Sequence, residues 1–268
     1  MPTPTEIRDL AIVLPAFNEE KDLPNLLARI RETLTGQKFR YQVIVVDDGS
    51  KDRTAEIALA AAREMPLRLV KHEVNKGLGM AIQTGLTEAM NCADAVLVMD
   101  SDNTHDPIYA IDMIAELERG ESQLVIASRF QKGSVITGVP AYRQVLSIGC
   151  FLLMKTIVPF ENVRDYSTGF RCYHSSILQR MAQTFGKDKL VEESGFVCML
   201  EVLLKLRSIG VNASEIPYIL RYDLKAGVSK LRIWRTLKRY LAVVNRYRDK
   251  KPEAFGSTIA AAVQTAKA

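Results

Sequence analysis

Four short apolar runs, separated by segments with helical periodicity, restrict the fold of this chain more than any other feature of its sequence. The runs occupy residues 10–14, 43–46, 67–71 and 95–99. Each has the length of a buried strand, and the segments 19–34, 54–65 and 79–91 between them repeat apolar residues three or four positions apart. Repeated β-α-β units predict an α/β fold with a doubly wound, mainly parallel sheet, right-handed crossovers and helices on both faces.

The pattern becomes less regular after residue 129. We predict there a loop, a helix, a strand or turn, a second helix and an edge strand, at 133–140, 143–157, 167–173, 196–208 and 215–221 respectively. A long basic helix is expected at 231–248. The predicted organisation is one domain over residues 1–230, a basic amphipathic helical extension over 231–251 and a flexible tail over 252–268.

The composition is that of a soluble globular protein, since 47% of the 268 residues are apolar and 25% are charged. Residues 1–10 lack the apolar core of a signal peptide, and the apolar stretch 145–160 is too short and interrupted to span a bilayer. The four cysteines are far apart and form no C-x-x-C pair, which favours a reducing compartment over a zinc cluster or disulfide framework. We expect a cytoplasmic protein, with peripheral contact at the cytoplasmic face of a membrane as an open alternative.

Two carboxylates, Asp100 and Asp102, directly follow the fourth apolar run. Holding two carboxylates close together is costly unless a cation lies between them, and ligands of open α/β sheets bind beyond the carboxyl ends of strands. The motif is therefore a candidate Mg²⁺ or Mn²⁺ site for a phosphate-bearing substrate, and the alternative is a solvated acidic turn. An EF-hand is excluded because His105 and Ile111 stand where glycine and glutamate are required. A lone loop histidine such as His105 is more often not a metal ligand.

Polar segments also follow the first two runs. Residues 15–20 either face the ligand crevice or form a proline-terminated strand followed by a helix with Asn18 as its N-cap. Asp47 and Asp48 can accept hydrogen bonds from a ribose or a base, or they belong to a plain turn before the next helix. A hydride-transfer cofactor is disfavoured because no G-x-G-x-x-G sequence follows the first run.

Several motifs in order resemble one enzyme family. They lie at 14–20, 45–50, 75–79, 99–102, 127–130, 165–171, 195–201 and 227–230. This series resembles family 2 of the inverting, nucleotide-sugar-dependent glycosyltransferases, which have the GT-A fold. Within that family it is similar to the dolichol- and polyprenyl-phosphate sugar (mannose) synthases, over about residues 10 to 235. The chain departs from the subgroup at Thr104, Phe17 and Leu224, where the subgroup usually has glutamine, tyrosine and arginine.

The resemblance implies metal-dependent, inverting transfer of a sugar from a GDP- or UDP-sugar to a polyprenyl or dolichyl phosphate. Asp100 and Asp102 would hold Mg²⁺ or Mn²⁺, and Asp102, Arg129 and Arg143 would be catalytic. The donor would be bound by Pro15, Phe17, Glu19, Val46, Asp47, Asp48, Lys76, Gly77, Asp100 and Ser101. The sequence does not identify the sugar, the base or the oligomeric state.

The acceptor determines which further groups are needed. A phosphate acceptor is already anionic and requires cationic or hydrogen-bonding clamps rather than a base. Candidates for this role are Arg129, Arg143, Arg171, Arg221, Ser229 and Lys230. Transfer to a hydroxyl of a soluble molecule or glycan is the alternative, and it would require a general base. Glu192 or Glu193 would supply it, unless the pair is an exposed acidic loop.

Positive charge is concentrated near the carboxyl terminus. Residues 225–251 contain ten Lys or Arg and one acidic residue, Asp249, within a net charge of +5 for the chain. The apolar residues of this helix near one face are Leu231, Trp234, Leu237, Leu241 and Val244. A basic amphipathic helix either lies on a membrane surface or packs its apolar stripe on the domain. We expect no nucleic-acid partner, because the strand ends are acidic and no face shows basic residues interleaved with aromatics.

Overall fold

A seven-stranded sheet forms the centre of the protein in the computed structural model, which describes residues 5–224 and 233–248. The strands are β1 Asp9–Ala16, β2 Arg40–Asp47, β3 Leu67–Lys71, β4 Ala95–Val98, β5 Leu124–Ser128, β6 Val135–Thr137, β7 Arg171–His174, β8 Ala213–Pro217 and β9 Ile219–Arg221. The helices are α1 Leu23–Leu34, α2 Thr54–Ala61, α3 Leu78–Ala89, α4 Tyr109–Glu118, α5 Ala141–Ile157, α6 Ser175–Phe185, α7 Val197–Ser208 and α8 Ile233–Tyr247.

The sheet is mainly parallel, as the alternation of apolar runs predicts. Its strand order is β3-β2-β1-β4-β7-β5-β8, and β7 is antiparallel to both of its neighbours. The other strands of this sheet run in one direction and therefore end at one edge. Because β7 runs the opposite way, the segment that enters it arrives at the edge where the parallel strands end.

Helices cover both faces of the sheet. In β1, Leu10, Ile12 and Leu14 belong to the apolar core that contains α1 and α4. Ala11 and Val13 belong instead to the core that contains α3, α6 and α7. This alternation follows from the two-residue period of a strand, and it confirms the doubly wound architecture.

Two predictions for the second half differ from the structure. Residues 133–140, predicted as a loop, contain β6, which pairs in parallel with β9 as a separate small sheet. The predicted edge strand at 215–221 is two strands, β8 at the edge of the main sheet and β9 beside β6. Strand β8 ends at Pro217, which has no N–H with which to continue the hydrogen-bond ladder of the sheet.

The C-terminal helix α8 packs its apolar side chains onto the domain. Tyr240, Val243, Val244 and Tyr247 are buried in the same core as α7, whereas Leu241 is 56% exposed. The remaining residues of the predicted stripe, Leu231, Trp234 and Leu237, have side chains outside the described set, as do residues 225–232 and 249–268. The division into residues 1–230, 231–251 and 252–268 stays a prediction. Each helix in the described ranges is too short or too polar to cross a membrane.

Candidate active site

The polar segments that follow β1, β2 and β4 meet at one edge of the sheet. The hydroxyl of Ser101 donates to the carbonyl of Pro15 at 2.9 Å, and the N–H of Asp48 donates to the carbonyl of Ala16 at 2.8 Å. These bonds join the ends of three neighbouring strands. The donor and metal candidates predicted from the sequence are therefore brought together, as expected for the carboxyl edge of a parallel sheet.

Asp102 is buried and is held by the residue two positions later. Its Oδ1 accepts hydrogen bonds from the Thr104 hydroxyl at 2.6 Å and from the Thr104 N–H at 3.2 Å. Only 7% of Asp102 is exposed. The threonine that replaces the subgroup's usual glutamine therefore acts here by orienting the Asp102 carboxylate.

Asp100 lies between a histidine support and a glycine. The backbone N–H of Asp100 donates to Nδ1 of His105 at 3.1 Å, and the His105 ring stacks on Phe170 with 4.6 Å between centroids. This nitrogen of His105 is thus used to fix the loop. A Cβ added to Gly169 would lie 3.3 Å from Oδ1 of Asp100, so the segment entering β7 forms a wall beside this carboxylate.

The donor atoms of the acidic pair fit a hard divalent cation. Within residues 5–224 and 233–248, no group of three or more His, Cys, Asp or Glu side chains is arranged as a metal cluster. Mg²⁺ is commonly held by one or two carboxylates together with substrate phosphates and water, rather than by a cage of protein ligands. A pair of carboxylates at a strand end is the donor set that this mode of binding requires.

Asp48 organises the loop that precedes α3. Its Oδ2 accepts the N–H of Gly77 at 2.7 Å, and its Oδ1 accepts the N–H of Lys76 at 2.9 Å and lies 2.7 Å from Nδ1 of His72. The carboxylate thus has partners for three of about four acceptor positions. Asp48 therefore shapes the loop that carries Lys76, and its contact with the nucleoside stays a prediction.

The loops at this edge pack closely through Gly49. Its φ of +71° is in the left-handed region, and an added Cβ would lie 2.6 Å from the backbone nitrogen of Asn75. The Asn75 side chain in turn donates to the carbonyl of Asp48 at 3.1 Å. Only glycine allows the loop after β2 to approach the loop after β3 so closely.

The segment after β1 is held against the loop after β2. Asn18 has φ +54° and accepts the N–H of Lys51 through its side chain, whereas α1 begins at Leu23, so Asn18 is not the N-cap. The N–H of Glu19 donates to the Thr54 hydroxyl at 2.9 Å. These bonds fix the predicted donor residues Phe17 and Glu19, which are both partly buried, at the edge of the sheet.

Val46 and Asp47 contribute less to the surface than the sequence suggested. The side chain of Val46 is wholly buried in the apolar core, so only its backbone reaches the edge. Asp47 is also fully buried, and its Oδ1 accepts the N–H of Ser50 at 2.9 Å. Asp47 therefore closes the turn after β2.

Arg129 forms a bidentate ion pair with buried Asp165. Its Nε and Nη2 each lie 2.7 Å from a carboxylate oxygen, and Nη2 also donates to the Ser167 hydroxyl at 2.6 Å. Burial alone would raise the pKa of the Asp165 carboxyl, but the Arg129 guanidinium and neighbouring N–H groups hold that pKa below its usual value. The predicted acceptor clamp is thus anchored to the segment that forms the wall beside Asp100.

The other acceptor candidates lie in different surroundings. Arg171 is fully buried and donates to the carbonyls of Met199 and Tyr166, so its observed role is in the core and we do not retain it as a phosphate clamp. Arg221 is paired with Asp223 and is partly exposed, and its N–H donates to the carbonyl of Thr104 beside the acidic motif. Arg143 lies on α5 with a side chain outside the described set, and Ser229 and Lys230 lie outside the described residues.

The candidate bases are engaged in ion pairs. Glu192 lies 2.9 Å from Nζ of Lys205, and this bond lowers the pKa of the Glu192 carboxyl. Glu193 is buried and pairs with Arg239 of α8 at 2.7 Å. Lys205 is itself fully buried and also contacts Glu201 at 2.8 Å. The pair is therefore not a plain exposed acidic loop, since each carboxylate is bonded to a cation, and the role of either as a general base stays a prediction.

The segment 193–194, which belongs to the network of ion pairs around Lys205 and Arg239, lies directly against the Lys76–Gly77 loop and the start of α3. A Cβ added to Gly79, in the first turn of α3, would lie 1.9 Å from the carbonyl oxygen of Glu193. The absence of a side chain at Gly79 thus allows α3 to begin against the 193–194 segment.

His72, Thr104 and Asp165 take part in the site although sequence reasoning gave them no role. The signal for His72 was its position directly after β3.

The chain matches the model of a known protein family. The model for "Glycosyl transferase family 2" matches residues 11–182, more than half of the chain. The chain belongs to glycosyltransferase family 2. The family resemblance inferred from the motifs is confirmed.

Curated relatives of this family 2 glycosyltransferase include lipid-phosphate sugar transferases. The dolichol-phosphate mannosyltransferase of Pyrococcus furiosus is 29% identical over 239 residues, which cover 88% of this chain and 63% of the relative. The dolichyl-phosphate beta-glucosyltransferase of Trichomonas vaginalis is 29% identical, over 78% of this chain and 64% of the relative. The polyprenol monophosphomannose synthase of Mycolicibacterium smegmatis is 27% identical, over 82% and 80%. The chain thus spans less than two thirds of the first two relatives.

Solved structures show the same fold. Glucosyl-3-phosphoglycerate synthase of M. tuberculosis, in complex with Mn²⁺ and uridine-diphosphate-glucose, has a TM-score of 0.67 at 21% identity. The likeness covers 92% of this chain and 81% of that one. The GT-A architecture expected for a family 2 member is therefore confirmed.

Proposed function

We propose that this glycosyltransferase moves a sugar from a GDP- or UDP-sugar to a polyprenyl or dolichyl phosphate, with inversion at the anomeric carbon. The observation that carries the proposal is the acidic pair Asp100 and Asp102 after β4, flanked by the segment 165–169 to which Arg129 is anchored. The names of the three curated relatives support the lipid-phosphate acceptor. We propose that the protein is cytoplasmic and makes peripheral contact with the cytoplasmic face of the membrane.

On the donor side, Asp100 and Asp102 would hold Mg²⁺ or Mn²⁺, and Thr104 would keep the Asp102 carboxylate oriented. When bound, such an ion neutralises charge on the departing nucleoside diphosphate. Asp48 keeps the Lys76–Gly77 loop in place, and Phe17 and Glu19 line the nucleoside side. The M. tuberculosis synthase, crystallised with Mn²⁺ and UDP-glucose, supports this assignment of cofactor and donor class.

On the acceptor side, ion pairing favours phosphate over hydroxyl. Glu192 and Glu193 are each bonded to a cation, and the bond to Lys205 lowers the pKa of the Glu192 carboxyl, which makes Glu192 a weaker base. A phosphate acceptor needs no base, because its oxygen is already anionic when it attacks the sugar. Among the described residues, the Nη1 group of Arg129 is the part of that guanidinium not used by Asp165 or Ser167. We assign it to an acceptor phosphate oxygen.

Product analysis tests the proposed function. Purified protein with Mn²⁺ is given a panel of GDP- and UDP-sugars, each with a polyprenyl phosphate, the matching polyprenol or no acceptor. We expect a polyprenyl-phosphate sugar with the anomer inverted, lost on chelation of the metal. Transfer to a hydroxyl acceptor while the polyprenyl phosphate stays inert would contradict the proposal.

Asp102→Ala is the matching variant. It should remove metal-dependent transfer while the circular dichroism spectrum and melting temperature stay close to those of the parent. Undiminished turnover in this variant would contradict the metal assignment.

A further inference from the structure

The carboxyl-terminal half of α5 exposes a broad aliphatic surface. Ile148, Leu152, Leu153 and Ile157 are 48%, 57%, 43% and 37% exposed, whereas Met154 is buried. Residues 148 and 152 are four positions apart and therefore neighbours on the helix. An amphipathic helix of a soluble domain normally turns such residues inward, so this surface requires a partner.

The charge of the surrounding segment indicates the kind of partner. Residues 129–160 contain four Lys or Arg and no Asp or Glu, although the chain as a whole has 31 acidic residues. Lys155 follows Leu152 by three positions, so a cation lies within the aliphatic face. Its long aliphatic stem allows the amine to reach a polar layer while the stem lies on apolar surroundings.

We propose that the exposed face of α5, comprising Ile148, Leu152, Leu153, Lys155 and Ile157, docks on an anionic lipid bilayer. An exposed apolar face with only basic charges matches the interface between acyl chains and anionic headgroups. A second copy of the chain fits less well, because a two-fold contact would place the same purely basic segment against itself. The inference rests on the proposed lipid-phosphate acceptor and identifies the surface by which the enzyme reaches it.

An aromatic contact connects this face to the candidate site. Phe151 of α5 stacks on Phe130 with 5.4 Å between ring centroids, and Phe130 directly follows Arg129 in the chain. The helix on the bilayer is therefore packed next to the residue assigned to the acceptor phosphate. A lipid can keep its tail in the bilayer while its phosphate reaches the edge of the sheet.

Vesicle flotation of the full chain tests the docking surface. The variants are Leu152→Glu and, as a matched control, Leu59→Glu, since Leu59 is 58% exposed on α2. The vesicles contain phosphatidylcholine alone or with phosphatidylglycerol. We expect the parent and Leu59→Glu to float with the anionic vesicles, and Leu152→Glu to bind them about tenfold less tightly, because it loses apolar contact and adds a repelled charge. Thermal melts should be the same for all three proteins.

Three results would overturn the surface assignment. The first is a parent protein that stays unbound on anionic vesicles at low salt. The second is equal binding of Leu152→Glu and the parent. The third is a dimer by light scattering that Leu152→Glu converts to a monomer, which would make the face a contact between copies.

Turnover with a short, water-soluble prenyl phosphate separates this inference from the proposed function. The parent and Leu152→Glu should use that acceptor equally in solution, and differ with a long-chain acceptor in vesicles. Transfer to the soluble acceptor by a protein that does not float with vesicles would contradict the docking surface but not the proposed function. Flotation without transfer to either prenyl phosphate contradicts the proposed function alone.

Discussion

Nδ1 of His72 lies 2.7 Å from Oδ1 of Asp48, and the opposite ring nitrogen lies 3.0 Å from the hydroxyl oxygen of Thr84. Because an ionised carboxylate only accepts hydrogen bonds, Nδ1 carries a proton. The buried imidazole therefore joins the ends of β2 and β3 to α3. It fixes the carboxylate on which the N–H groups of Lys76 and Gly77 depend.

Removing the imidazole of His72 should loosen the Lys76–Gly77 loop. We expect His72→Leu to weaken nucleotide-sugar binding in the presence of Mn²⁺ and to lower the free energy of unfolding by about 1–3 kcal/mol, because Asp48 loses a buried partner. His72→Asn retains an N–H near the position of Nδ1 and should keep most of the affinity. Calorimetric titration with the donor measures the difference. Donor affinity in His72→Leu equal to that of the parent would show that the loop is held without the histidine.

Thr104 should affect metal binding through its hydroxyl. Thr104→Val removes the bond to Asp102 and should weaken Mn²⁺ affinity, measured with nucleoside diphosphate present, by about tenfold. Thr104→Ser keeps the hydroxyl and serves as the matched control. If the valine variant binds Mn²⁺ as tightly as the serine variant, the hydroxyl does not orient the carboxylate.

The Arg129–Asp165 pair should make stability depend on acid pH. The pKa of Asp165 is depressed in the folded state, so its stabilising contribution is present above the ordinary aspartate pKa of about 4 and is lost as the pH falls through the lower folded value. Asp165→Asn should cost about 3 kcal/mol at pH 7, since it leaves a mostly buried guanidinium without its counter-charge.

Urea denaturation between pH 7 and acid pH measures this effect. The difference in unfolding free energy between the parent and Asp165→Asn should shrink as the pH falls below about 4. Asp223→Asn, which breaks the more exposed pair with Arg221, is the control and should show a much smaller difference. A parent-to-variant difference that is constant over this pH range would exclude a titrating Asp165.

Replacing Lys205 alone should destabilise the fold more than replacing Lys205 together with Glu201, whose charge it balances. Lys205→Met leaves the fully buried carboxylate of Glu201 without a cation, which should lower the free energy of unfolding by about 3–5 kcal/mol. Adding Glu201→Gln keeps an oxygen for the N–H groups of Glu192 and Glu193 and should restore part of the loss. Chemical denaturation checks this, and additive losses would show that the two charges are not coupled.

The sequence predicts the first half of the fold and its strand-end residues better than the second half. The apolar run 43–46 lies within β2, where residues 43–47 are all buried, because a buried strand is determined by local composition. The four-residue strand β7 is not specified by its own sequence, since its place depends on pairing with β4 and β5. The pairs Arg129–Asp165 and Glu193–Arg239 could not be predicted, because each joins distant positions that only the tertiary fold brings together.

The ion pair between Arg129 and Asp165 closes an excursion of the chain, because its partners are 36 positions apart and both are fixed at the edge of the sheet. The excursion contains β6 and α5, and its buried side chains Met154, Val158 and Val163 keep it on the domain. Its exposed side chains can therefore change without moving the carboxylates after β4. Divergence confined to those exposed positions would give a new acceptor preference or a new site of attachment while the sugar-donor half stays as it is.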